Sequence, residues 1–169
     1  MSPFEAARAA LTFARARPDL VRYVTRFTGD ADLAEDVVQD TYLRLRERPP
    51  EDGSGIRGWL FRVATNLARD ATRTDRRRAR LAQGAPARLP GPEPLPDPAA
   101  LSERSEVRER VRAALETLNE KERTALLMRE EGFTHREIAE AVGTTTKSVG
   151  TLVARALEKM ARGLDLEAL

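Results

Sequence analysis

The sequence contains no cysteine and a single histidine, His135. A disulfide framework and a thiolate metal site are therefore excluded. One imidazole also argues against a zinc centre or a histidine-based catalytic site, so neither a metal nor a cofactor is expected. No apolar run approaches the roughly 20 residues needed to span a bilayer, so no membrane insertion is expected. The first residues, MSPFEAARAALTFARARPDL, are interrupted by Glu5 and several arginines and do not read as a signal peptide. There is no phosphate loop, nucleophile–base pair or metal-ligand cluster, so no enzymatic activity is expected either. These absences predict a soluble, cytoplasmic protein that works by binding.

What is present is charge, unevenly placed. The 169 residues carry 33% charged side chains but a net charge of only +2. The stretch 30–40, DADLAEDVVQD, is acidic and holds no base, whereas 57–80 holds eight arginines against two aspartates. Such asymmetry suggests two different partners, one of them nucleic acid. Proline is concentrated too: 83–101, QGAPARLPGPEPLPDPAAL, holds six of the ten prolines. That composition reads as an extended linker. It divides the chain into 1–80, a linker at 81–104, and 105–169. Both flanking units are rich in Ala, Leu, Arg and Glu at helical spacing and show no period-2 strand. The fold expected is all-α: two small helical domains joined by a Pro-rich linker. Domains of this size bury little core, so each should be a simple bundle.

On a helix over 59–80, Leu60, Val63, Ala64, Leu67 and Ala71 share one face, which should pack inward. The opposite face carries Arg62, Asn66, Arg69, Arg73, Arg76 and Arg80, with Trp59 at its margin; Arg77 follows in the same basic run. Arginines neutralise phosphates, an aromatic plane stacks unpaired bases, and an amide bonds base edges. The alternative is a solvated basic face with Trp59 capping the core.

The acidic stretch reads as a helix with Asp30 as N-cap. Ala34, Val37, Val38, Thr41 and Leu45 form its buried face. Asp32, Glu35, Asp36, Gln39 and Asp40 lie opposite, with Leu43 among them. An apolar residue ringed by charge resembles the centre of a protein interface; the alternative is one stray surface leucine.

The most specific stretch is 134–160, THREIAEAVGTTTKSVGTLVARALEKM. Thr134 and Glu137 predict a capping box. Ile138, Ala139 and Val142 face inward, and Gly143 ends the helix. Val149, Val153, Ala156 and Met160 then recur at helical spacing. The Ala-x3-Gly-x5-Val spacing of Ala139, Gly143 and Val149 predicts a helix-turn-helix. Its second helix would meet duplex DNA through Thr145, Thr146, Lys147, Ser148, Thr151 and Arg155. The alternative is an ordinary helical hairpin with a glycine turn. Upstream, ALETLNEKERTALLMREEGF reads as one supporting helix with Leu115, Leu118, Ala125, Leu126 and Met128 as core. His135 reads as an exposed polar residue.

Taken together, GDADLAEDVVQDTYLRL and RGWLFRVATNLARDATRTDRRR resemble region 2 of bacterial sigma factors. LETLNEKERTALLMREEGFTHREIAEAVGTTTKSV resembles their region 4. The order, and the lack of regions 1.1 and 3, resembles the extracytoplasmic-function (ECF) group of the sigma-70 family. The resemblance implies a sigma factor that binds core RNA polymerase, directs it to promoters and promotes melting. It implies that Asp32, Glu35, Asp36, Gln39, Asp40 and Leu43 dock on the β′ clamp helices, with the β subunit as a further partner. It implies that Trp59, Arg62, Asn66, Arg69, Arg73, Arg76 and Arg77 engage the −10 element, the aromatic end holding separated bases and the arginines gripping backbone next to the upstream duplex. The loop at 48–58 would form a pocket for a flipped base, and the helix-turn-helix would read the −35 element as duplex. An anti-sigma factor is implied as a further partner. Many members place Trp where this chain has Arg46. Many also place a basic residue at Gly150 and Arg at Leu152, and from these two a weaker or altered −35 contact is expected. The competing reading is a stand-alone helix-turn-helix regulator, which would need neither the acidic helix nor the Trp/Arg helix.

Overall fold

The computed structural model describes residues 2–50, 55–81 and 98–164. Among these residues the regular structure is helical throughout. Two compact units separate at Arg88 and Leu89, and each is described by itself.

The N-terminal unit is a bundle of α1 (Pro3–Thr28), α2 (Ala31–Glu47) and α3 (Ile56–Leu81), each packed on the other two. Ser2 and Glu5 form a capping box that starts α1, with Pro3 in the first turn, where a missing N–H costs nothing. Asp30 caps α2 by accepting the Leu33 N–H at 3.0 Å. Leu20, Tyr23, Val24, Val38, Leu45, Leu60, Phe61 and Ala64 make the core. Each large side chain there contributes about 1.5–3 kcal/mol of burial. Inside this apolar core one polar link joins α1 to α3: the Tyr23 and Thr65 hydroxyls lie 2.8 Å apart. Thr65 donates to the Phe61 carbonyl at 2.7 Å, so Tyr23 is left to donate to Thr65.

The inward face of α3 is rotated from the predicted one. Leu60 and Ala64 are buried as expected, but their companions are Phe61, Thr65 and Ala68, while Val63, Leu67 and Ala71 are only half-buried. Phe61 explains the rotation: its ring packs on Tyr23 at 5.1 Å and draws that side of the helix inward. The helix also starts three residues before the predicted 59, so Ile56, Arg57 and Gly58 of the expected 48–58 loop are helical. Residues 51–54 of that loop lie outside the described residues.

The C-terminal unit holds α4 (Pro98–Glu116), α5 (Glu120–Glu130), α6 (His135–Val142) and α7 (Thr146–Gly163). Helix α7 is the hub, packing on α4, α5 and α6. Leu115, Leu118, Ala125, Leu126 and Met128 are buried as predicted, but the single supporting helix is two. It breaks at Thr117–Asn119 because Asn119 and Glu122 form a second capping box. Helix α4 begins inside the predicted 81–104 linker. Pro98 suits a first helical turn, and the Ala, Leu, Glu and Arg after it are strong helix formers. The remaining linker positions, 82–97, lie outside the described residues. The turn between α6 and α7 needs Gly143, whose φ of 70° is left-handed. Gly163 serves a different end: a Cβ there would meet the Ala114 Cβ at 3.0 Å, so its absence lets α4 close on α7.

Candidate protein and nucleic-acid interfaces

On α2 the buried stripe of Ala34, Val37, Val38, Thr41 and Leu45 turns the opposite face outward. Asp32, Glu35, Asp36, Gln39 and Asp40 are all exposed, and Leu43 stands among them at 45% exposure. The six residues thus share one surface. Glu35 is already engaged: it accepts from Arg17 of α1 at 2.6 Å. Both side chains are about half exposed, so this pair contributes about 0–1 kcal/mol and a partner's cation could displace it. The structure adds a residue that sequence reasoning missed. Asp75, on α3, joins Asp30, Asp32, Leu33, Glu35 and Asp36 around an open cleft of about 390 Å³. Asp75 lies in the arginine-rich run, where the local sequence gives no sign that it meets the acidic helix.

On α3, Arg62, Asn66, Arg73 and Arg77 are exposed, while Trp59 and Arg69 are half-buried. Of the predicted stripe, Arg62, Asn66 and Arg73 thus face outward, while Arg69 is partly covered and Trp59 sits at the margin. The side chains of Arg76 and Arg80 lie outside the described residues. The first turn of α3 is fixed by Arg57, whose guanidinium lies 4.9 Å from the centre of the Phe61 ring and 3.7 Å from the Asp19 carboxylate. Asp19 also accepts from Arg22 at 3.0 Å. The end of the helix that bears Trp59 is thereby tied to α1.

In the C-terminal unit the Thr134–Glu137 capping box starts α6, and Ile138, Ala139, Val142, Val149 and Ala156 close the helix-turn-helix core. Val153 and Met160 are half-buried. The six outward candidates divide. Thr145 is the N-cap of α7: it accepts the Ser148 N–H at 3.3 Å, and its hydroxyl lies 2.8 Å from that of Ser148. These two side chains shape the helix start. Thr146, Lys147, Thr151 and Arg155 are exposed along the helix. His135 is half-buried rather than exposed, because its ring lies against α7 beside Gly150.

A second feature was not foreseen. Glu122 of α5 is buried and accepts from Lys159 of α7 with both oxygens, at 2.7 and 3.0 Å. Burial works to raise its pKa. The Lys159 hydrogen bond, the Asn119 N–H and the charges of Lys159 and Arg155 outweigh that and hold the carboxyl below its ordinary value. The Asn-x-x-Glu pattern at 119–122 signals the cap, but no local pattern pairs Glu122 with a lysine 37 positions away.

Both units match known families. The family model Sigma-70 region 2 matches residues 12–78, and Sigma-70, region 4 matches residues 108–160. That order defines a two-region protein of the sigma-70 class. The ECF RNA polymerase sigma factor EcfG of Rhodopseudomonas palustris is 32% identical over 146 residues, covering 85% of this chain and 77% of the relative. SigG of Mycobacterium tuberculosis, also named an ECF RNA polymerase sigma factor, is 35% identical over 167 residues and 85% of this chain. The chain belongs to the ECF sigma factors of the sigma-70 family. It spans 45% of the length of SigG. Two solved structures share the fold. One is the sigma factor RpoE bound to the anti-sigma factor NepR from Bartonella quintana, with a TM-score of 0.70, 22% identity, and 92% and 96% of the two chains covered. The other is CnrH in complex with the cytosolic domain of CnrY, with a TM-score of 0.68, 23% identity, and 96% and 95% covered. Among the described residues no helix is long and apolar enough to cross a membrane.

Proposed function

We propose that this chain is a promoter-specificity subunit that binds core RNA polymerase, brings it to promoters and assists their melting. The observation that carries the reading is the pairing, within one bundle, of an acidic face centred on an exposed leucine with a basic face edged by Trp59. A fold needs neither. Residues 1–80 form the unit that docks on polymerase and meets the −10 element. Asp32, Glu35, Asp36, Gln39, Asp40 and Leu43 meet the β′ clamp helices. Trp59, Arg62, Asn66, Arg69, Arg73, Arg76 and Arg77 hold the −10 strand.

Residues 105–169 form the unit for −35 duplex. Thr146, Lys147, Thr151 and Arg155 face the groove, while Thr145 and Ser148 set the helix start that points them there. Residues 81–104 connect the two units. The protein acts in the cytoplasm and catalyses no reaction by itself. NepR and CnrY bind the two structural relatives, which supports an anti-sigma factor as a further partner here.

The test is reconstitution with core RNA polymerase on a pool of genomic promoters. A stable complex with specific start sites is the expected result. Duplex binding without any polymerase binding would overturn the reading in favour of a stand-alone regulator.

A further inference from the structure

The buried carboxylate of Glu122 has two cations of α7 in electrostatic reach, Lys159 and Arg155. They sit one helical turn apart and so share an edge of the helix. Only Lys159 is bonded to the carboxylate, through both oxygens, and the third hydrogen bond comes from the Asn119 backbone N–H at 3.0 Å. The Glu122 side chain is 4% exposed and that of Lys159 is 35% exposed. A carboxylate this deep needs a counter-charge, because burying it alone is costly. Were Lys159 absent, Arg155 would be the next cation to hand, and an arginine drawn inward to a carboxylate is lost to phosphate.

We infer that Lys159 is a positioning residue for DNA binding: by neutralising Glu122 it leaves the Arg155 guanidinium available to a backbone phosphate. This rests on the proposed role of Arg155 at the duplex. The competing account is a plain staple between α5 and α7 with no bearing on Arg155.

The two accounts separate in the full-length chain, with a random-sequence DNA duplex as probe, since phosphate contacts are independent of sequence. K159M should weaken binding about tenfold and reduce the salt slope by about one. E122Q/K159M removes the carboxylate's charge as well, and its affinity should return to near wild type. E158Q/K159M restores the same net charge through the exposed Glu158 but leaves Glu122 unneutralised, so it should stay weak. Unchanged binding by K159M overturns the inference. So does equal recovery by both double variants, which would mean a net-charge effect, or recovery by neither, which would mean a staple. If K159M shows no cooperative thermal transition, K159Q is read in its place by the same criteria. R155A tests the underlying assignment separately. If R155A binds like wild type, Arg155 does not hold phosphate; if R155A weakens binding while the K159 series behaves otherwise than stated, only the neutralising role fails.

Discussion

Replacing Asp36 and Asp40 together by lysine should detach the chain from core polymerase without unfolding it. Both aspartates are exposed on α2, four residues apart and on the side away from the buried stripe. The local energetics nearly cancel. A lysine at 36 gains Asp32 one turn earlier, while a lysine at 40 faces Arg44 one turn later, and each such pair shifts helix stability by about 0.2–0.5 kcal/mol. The thermal transition should therefore move by no more than a degree or two. Binding is another matter. Exposed charge pairs contribute about 0.2–1 kcal/mol, whereas closely packed interfacial pairs reach about 1.5–7 kcal/mol. The two aspartates flank Leu43, which a partner would cover, so they fall between these limits. We expect about 1–2 kcal/mol for each reversal, or roughly 30- to 1000-fold in affinity for the pair. Competition of labelled wild type from core polymerase, at low and high salt, measures this. Binding of isolated duplex should not fall. Unchanged polymerase affinity would refute the docking assignment, and loss of affinity together with a collapsed thermal transition would refute the claim that the face is free of structural duty.

Other expectations follow from the same surfaces. Arg155→Ala should weaken duplex binding while leaving polymerase affinity intact; a shared defect with the α2 variant would abolish the division of labour. Gly150 is exposed within α7, and an added Cβ would meet only His135, at 4.0 Å. Gly150→Ala should therefore stabilise the C-terminal unit by up to about 1 kcal/mol in thermal denaturation. Gly150→Lys should tighten duplex binding, and no gain would show that position 150 does not face phosphate. Tyr23→Phe keeps the ring but deletes the buried donor to Thr65, and should cost about 0.5–1.5 kcal/mol by urea denaturation. Glu122 has a folded pKa below its unfolded value, so the unfolded chain binds the proton better. Its contribution is present above the unfolded pKa and lost as pH falls through the folded one. Acid titration should thus show the C-terminal unit weakening below about pH 4.3, with a shallower slope in E122Q.

The parts of the fold written in short-range patterns were legible in the sequence. Capping residues 134–137, the small Ala139 and the turn glycine Gly143 act within a few positions of one another, and periodicity alone found the buried stripe of α2. Failures came where a distant residue decided. The inward face of α3 turns on Phe61 meeting Tyr23, which lies two helices away in the chain order, so a wheel drawn on α3 alone chose Val63 and Leu67 instead. The break before α5 was local and readable at Asn119 and Glu122, but the hydrophobic spacing runs through it and suggested one continuous helix. Asp75 at the acidic cleft and Lys159 on Glu122 belong with the distant cases. Neither neighbourhood signals the contact, and only the packing of helices brings each to its partner.

The faces assigned to partners carry several features that cost the fold stability. Arg69, Arg73 and Arg77 are spaced four apart on α3, an arrangement of like charges that costs a helix a few tenths of a kcal/mol per pair. Leu43, at 45% exposure, forgoes a large part of what burial would give it, and Gly150 weakens α7. Against these stand the buried Tyr23–Thr65 link, three capping boxes and the bonded Glu122, all of which stabilise the bundles. A sequence under no demand but stability would not place such costs on its exposed faces. That placement is what a protein requires when one surface must meet a basic protein partner and another must meet nucleic acid while the bundle beneath stays fixed. It also sets the form of any decisive variant: a substitution on these faces should change binding and hold or raise stability. One that lowers both counts against the face being free of structural duty.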